Sequence, residues 1–109
     1  MSATRNPTGE RYDLLVPEFI AAMARIMQVG AERYGECNWK KGLEGDKSGI
    51  NHAYAHLNQY QRNLPNDYGP RELHLAQVAV NAMFEFWFEV QRQRAAADKL
   101  KTHTCNKSK

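Results

Sequence analysis

The stretch Val78-Ala79-Val80-Asn81-Ala82-Met83-Phe84-Glu85-Phe86-Trp87-Phe88-Glu89-Val90 is the most apolar in the chain, and its reading decides the fold. Its second half alternates like a strand, and for so short a piece periodicity alone does not separate strand from helix. Length does, because the pattern runs from Pro70 to about residue 98, several times the length of an ordinary strand. A helix over 70–98 is predicted, with Pro70 in its first turn. At 100° per residue its apolar side chains cover about two-thirds of the circumference, more than a lone surface helix needs. Such a helix belongs at the centre of a bundle or against a second subunit.

Upstream, Phe19, Ile20, Met23, Ile26, Met27 and Tyr34 recur at three- and four-residue intervals after Pro17, which predicts an amphipathic helix over 17–34 that stops at Gly35. Ser48 is placed to cap a helix over 49–63 with Ile50, Ala53, Tyr54, Leu57 and Leu64 as its apolar face. Between them lies a glycine-rich loop over 35–48, and Asn66 to Pro70 reads as a turn. The expected fold is all-α: a small bundle of about three main helices, completed by oligomerisation. One helical domain is expected over 1–98, followed by a basic flexible tail over 99–109.

The chain has 109 residues and a net charge of +3. That charge is uneven: residues from Arg92 onward carry +5, leaving a slightly acidic body of −2. Basicity confined to a tail argues against a nucleic-acid surface on the folded part. No apolar run is long enough to span a bilayer, and the first eight residues lack the pattern of a secretory leader, so a cytoplasmic protein without membrane contact is expected. Cys37 and Cys105 have no metal-type spacing and read as free thiols.

Three groups of residues could carry chemistry. His74, Gln77, Asn81 and Glu85 form one polar stripe on the third helix. Solvent is one reading of that stripe; a pocket is the other, favoured because His and Asn are poor helix formers compared with the Lys and Glu of an ordinary surface. His52 and His56 lie one turn apart with Asn51 nearby, a spacing compatible with a metal site, a phosphate or base contact, or a structural role. Asn38-Trp39-Lys40-Lys41 places an indole beside an amide and two cations. This set serves a nucleotide by stacking, base-edge hydrogen bonding and phosphate neutralisation, or else plugs the loop into the core.

Taken in order, Gly9-Glu10-Arg11-Tyr12-Asp13-Leu14, Gly30-Ala31-Glu32-Arg33-Tyr34-Gly35, Asn38-Trp39-Lys40-Lys41-Gly42, Asn51-His52-Ala53 with His56-Leu57, and Glu72-Leu73-His74-Leu75-Ala76 with Asn81-Ala82-Met83 resemble the phage dATP/dGTP diphosphohydrolase N-terminal domain family, related to MazG-like all-α pyrophosphatases. The resemblance implies a virus-encoded, oligomeric protein in a bacterial cytoplasm that takes a purine nucleotide or a nucleotide-derived molecule. It further implies hydrolysis of a purine deoxynucleoside triphosphate to monophosphate and pyrophosphate, with Mg²⁺ or Mn²⁺ held by Glu32, Glu36 and Glu72 as catalytic carboxylates. Asn38 and Trp39 would then hold the base, Arg33, Lys40, His52, His56 and His74 would meet phosphates, Asn81 would orient one of those groups, and Asn51 would belong to the same ligand-binding set.

The related pyrophosphatases carry paired acids on two helices, whereas the second helix here has none. That departure motivates an alternative from another class: a sponge that sequesters a nucleotide, for example an immune signalling nucleotide of the host, without chemistry. A structural or adaptor protein is the third reading.

Overall fold

The computed structural model describes residues 9–42 and 48–98. The tail over 99–109, the arm over 1–8 and Cys105 lie outside the described residues. A single turn of 3₁₀ helix at Tyr12–Leu14 leads into α1 (Pro17–Tyr34), a second at Asn38–Lys41 follows, and α2 (Gly49–Gln61) and α3 (Leu73–Asp98) complete an all-α fold.

Each helix boundary has a local cause. Pro17 opens α1, and Gly35 closes it at φ 97°, a conformation open to glycine without a Cβ penalty. Ser48 caps α2 by accepting the backbone N–H of Asn51 on its hydroxyl at 3.1 Å. α2 ends two residues before the expected position because Asn63 turns left-handed at φ 60°, which leaves Leu64 beyond the helix. α3 starts at Leu73 and not at Pro70: the N–H groups of Leu73, His74 and Leu75 each reach back three residues, to Pro70, Arg71 and Glu72, in a tight turn that precedes the helix.

The central placement expected for the most apolar helix holds, since α1 and α2 both pack on α3. Ile26 of α1 meets Leu73, Ala76 and Val80 of α3 in the buried core, with Met23, Met27, Tyr68 and Phe84 against it. α2 runs antiparallel to α3: its first residue, Gly49, bonds to Glu85, while Tyr60 near its end takes the guanidinium of Arg71 on its carbonyl at 2.8 Å. An added Cβ at Gly49 would lie 2.9 Å from the Asn81 carbonyl oxygen. Only glycine allows that approach of the two backbones.

The apolar face expected for α2 is not its packed face. Ile50, Tyr54 and Leu57 are exposed, and α2 instead turns Gly49, Ala53, His56 and Tyr60 inward. The reason is close approach: a glycine and an alanine let α2 settle deep on α3, and this outweighs burial of the larger side chains on the other side. Tyr12, Leu14, Leu15, Val16 and Ile20 also remain exposed at the start of α1. Among the described helices none is long and apolar enough to cross a membrane.

Candidate functional site

Because α1 and α2 lean on α3 and not extensively on one another, a cleft of about 770 Å³ opens between them with α3 as its floor. That is the size range of pockets that take small organic ligands. The polar stripe of α3 turns toward it: Gln77 and Asn81 line the cleft floor, and Asn81 is 8% exposed. α2 contributes His52 and His56, and the turn after α1 contributes Asn38 and Trp39.

Trp39 combines both roles weighed for it. Its ring stacks on Phe84 at 4.4 Å between centroids and meets the edges of Trp87 and Phe88, so it anchors the loop, and it also lines the cleft. Two cations sit against lining aromatics: Lys40 lies 5.5 Å from the Trp39 ring centre, and Arg33 lies 5.3 Å from that of Tyr68. Arg33 also donates to the Tyr68 hydroxyl at 3.5 Å.

His74 is not a wall residue. At 2% exposure it is buried beneath the cleft, because the turn over 64–66 folds across it and takes its ring into a network. Its Nε2 lies 3.2 Å from the Leu64 carbonyl and 3.0 Å from that of Pro65, and its Nδ1 lies 3.0 Å from His56 Nδ1 and 3.1 Å from Asn66 Nδ2. A direct phosphate contact by His74 is therefore corrected to a supporting position. Burial, then the neighbouring His74 and His52, holds His56 below the ordinary imidazole value against the opposing pull of Asp67. His56 is thus neutral at neutral pH.

Asn51 points elsewhere: it is exposed and absent from the cleft lining, and its backbone N–H serves the α2 cap. Glu32, Glu36 and Glu72 are exposed, and none lines the cleft. Glu32 takes a long hydrogen bond of 3.4 Å from Gln28. Among the described residues no three His, Cys, Asp or Glu side chains gather into a group that could hold a metal ion. The three carboxylates expected to bind Mg²⁺ or Mn²⁺ are not brought together, so this donor set does not fit a divalent cation within one chain. Cys37, read as a free thiol, is disulfide-bonded.

Asn66, Tyr34 and Tyr68 were missed by sequence reasoning. Asn66 looked like an ordinary turn residue, yet it is buried and joins the turn to α3. Tyr34 falls at an apolar helix position and Tyr68 inside the turn, and both line the cleft. The Asn-Asp-Tyr-Gly-Pro composition signals a turn but carries no sign of which side chain folds back.

The structure thus defines an all-α protein with a mixed aromatic and carboxamide cleft built on a single central helix. The chain belongs to the family described as dATP/dGTP diphosphohydrolase, N-terminal, whose profile matches residues 2–99. It is similar to a dATP/dGTP diphosphohydrolase of Salmonella phage PMBT28, with 28% identity over 87 residues. That similarity covers 73% of this chain and 29% of the relative, so the chain spans less than a third of the relative's length. No solved structure gives a significant match.

Proposed function

We propose that this chain binds a purine nucleotide in the cleft between α1 and α2. The observation that carries this reading is the lining itself: Asn38, Gln77 and Asn81 supply carboxamides between the aromatic rings of Trp39, Tyr34 and Tyr68, in a cleft of nucleotide size. Aromatic faces suit a base, and carboxamides read its edge. Arg33 and Lys40, each resting on a lining aromatic, supply positive charge for phosphates at the rim. Family membership and the activity named for the phage relative support the purine class.

Binding without hydrolysis is the form favoured by the acids, since Glu32, Glu36 and Glu72 lie apart from the cleft lining. In this form the protein is a nucleotide sponge, with a signalling nucleotide of a bacterial host as one candidate cargo. The second reading, favoured by the relative's name, is hydrolysis of a purine deoxynucleoside triphosphate to monophosphate and pyrophosphate with Mg²⁺ or Mn²⁺.

One experiment separates them. The purified chain is incubated with dATP, dGTP and a panel of cyclic nucleotides, with and without Mg²⁺ or Mn²⁺, and everything in solution is identified before and after heat denaturation. Release of an intact ligand by heat supports binding alone; monophosphate and pyrophosphate support hydrolysis. Retention of nothing and conversion of nothing would remove both readings and leave an adaptor role.

A further inference from the structure

The hydrogen bonds beneath the cleft fix the polarity of its wall. The backbone N–H of Tyr68 donates to Asn66 Oδ1 at 2.8 Å, and a backbone N–H has no alternative role, so this bond sets which way the Asn66 amide points. Asn66 Nδ2 is then a donor to both of its neighbours. It donates to Gln77 Oε1 at 2.6 Å and approaches His74 Nδ1 at 3.1 Å, so Nδ1 of His74 must be the acceptor there. The opposite side of the His74 ring agrees independently, because Nε2 faces the carbonyl oxygens of Leu64 and Pro65, which only accept. His74 therefore carries its proton on Nε2 and has a bare Nδ1.

His56 follows by exclusion. Its Nδ1 sits 3.0 Å from that bare Nδ1, and two lone pairs at this distance repel, so the proton of the pair belongs to His56 Nδ1. A neutral His56 then has an unprotonated Nε2. No buried side-chain nitrogen among the described residues lacks a partner, and Nε2 of His56 has none, so it is open to the cleft that His56 lines. Gln77 is fixed by the same chain of bonds: with Oε1 taken by Asn66, its free group is the amide Nε2, a donor.

We propose that Asn66 and His74 are positioning residues that hold His56 Nε2 as an acceptor and Gln77 Nε2 as a donor on the cleft wall, a pair that reads a purine edge carrying an N–H beside an acceptor atom. The ligand assignment rests on the nucleotide reading above; the polarity does not. A phosphate oxygen, itself an acceptor, has nothing to gain from His56 Nε2, so the phosphates lie toward the cationic rim and the base toward α2 and α3.

The polarity is tested without any ligand. Long-range ¹H–¹⁵N correlation of the full chain at about pH 8, where imidazoles are neutral, reports which ring nitrogen of each of the four histidines carries the proton. The expected result is Nε2–H for His74 and the less common Nδ1–H for His56. An Nε2–H tautomer at His56 in the unmodified protein overturns the proposal. His74→Gln, which retains an acceptor for His56, is expected to preserve the Nδ1–H form, whereas His74→Leu returns His56 to Nε2–H. Should His74→Leu not fold, the spectrum of the unmodified protein decides alone.

The ligand part is tested by comparing dATP and dGTP with the triphosphate of unsubstituted purine 2′-deoxyriboside, which lacks a base donor. Binding weakened about tenfold or more by the loss of that donor is expected. Equal binding of all three overturns the base-edge assignment. Failure of all three to bind overturns the nucleotide reading and the base-edge assignment together, while the tautomer measurement still decides whether the wall has the stated polarity.

Discussion

The Glu85 carboxylate accepts a hydrogen bond from the backbone N–H of Gly49 at 3.1 Å, so the first residue of α2 is held by a side chain 36 positions away on α3. A carboxylate at a helix N-terminus meets both an otherwise unpaired N–H and the positive end of the helix dipole. The contact fixes where α2 begins along α3, and with it the heights of His52 and His56 above the cleft floor.

Gly49→Ala is expected to destabilise the protein by about 1–3 kcal/mol. The new methyl would stand 2.9 Å from both the Asn81 backbone oxygen and the Glu85 carboxylate, and the backbone atom cannot swing away. Urea unfolding followed by circular dichroism measures the change; a wild-type midpoint would show that the two helices can part without cost.

Asn66→Ala removes the donor to Gln77 and His74 and the acceptor of the Tyr68 N–H together. A loss of roughly 2–3 kcal/mol is expected, because buried polar partners are left without hydrogen bonds. The turn over 64–69 should also exchange its amide protons faster, which hydrogen–deuterium exchange detects.

The pH dependence follows from His56, whose folded-state value lies below its ordinary 6.5. A lowered value means the folded state takes up a proton less readily than the unfolded chain. The stability associated with His56 is therefore complete above about pH 6.5 and is lost as the pH falls through the lowered value. Thermal denaturation between pH 8 and pH 5, on a scale set by ordinary imidazole and carboxylate values, should show a falling midpoint. His56→Gln should flatten that part of the curve; an equal slope in the variant would assign the dependence to other groups.

Trp39→Ala should cost about 2–3 kcal/mol through loss of the ring stacked on Phe84 and edged by Trp87 and Phe88. Trp39→Phe should recover most of that stability. If the indole also contacts a base, Trp39→Phe will still weaken nucleotide retention, and titration with dATP would register a difference that denaturation does not.

Self-association is expected from the apolar side chains that the single chain leaves uncovered: Leu14, Leu15, Val16 and Ile20 before and within α1, and Ile50, Tyr54 and Leu57 along α2. Sedimentation velocity should show a species larger than one chain at micromolar concentration. Leu15→Glu combined with Ile20→Glu should move it toward the single chain. A single-chain species in the unmodified protein would refute this expectation.

Much of the fold is legible in the sequence because its signals are local. Pro17, Gly35 and Ser48 mark helix limits through their own backbone and side-chain chemistry, and all three act where expected. The packing is less legible. Ile50, Tyr54 and Leu57 form a convincing apolar stripe, but periodicity identifies residues that share a face and not what covers it. The small residues Gly49 and Ala53 set the packed face instead. The same limit applies to His74: its helical spacing groups it with Gln77 and Asn81, but only the fold shows that the turn over 64–66 roofs it over. Glu32, Glu36 and Glu72 show a different limit, since a resemblance transfers residue types and not the distances between them, and within one chain the three do not gather.

Since α1 and α2 both pack chiefly on α3, the molecule is laid out like a book whose covers share a spine. Each cover has its own seat on that spine, and the cleft is the gap left between the two. A ligand that touched both covers would add a tie that the two helices make only sparsely with each other.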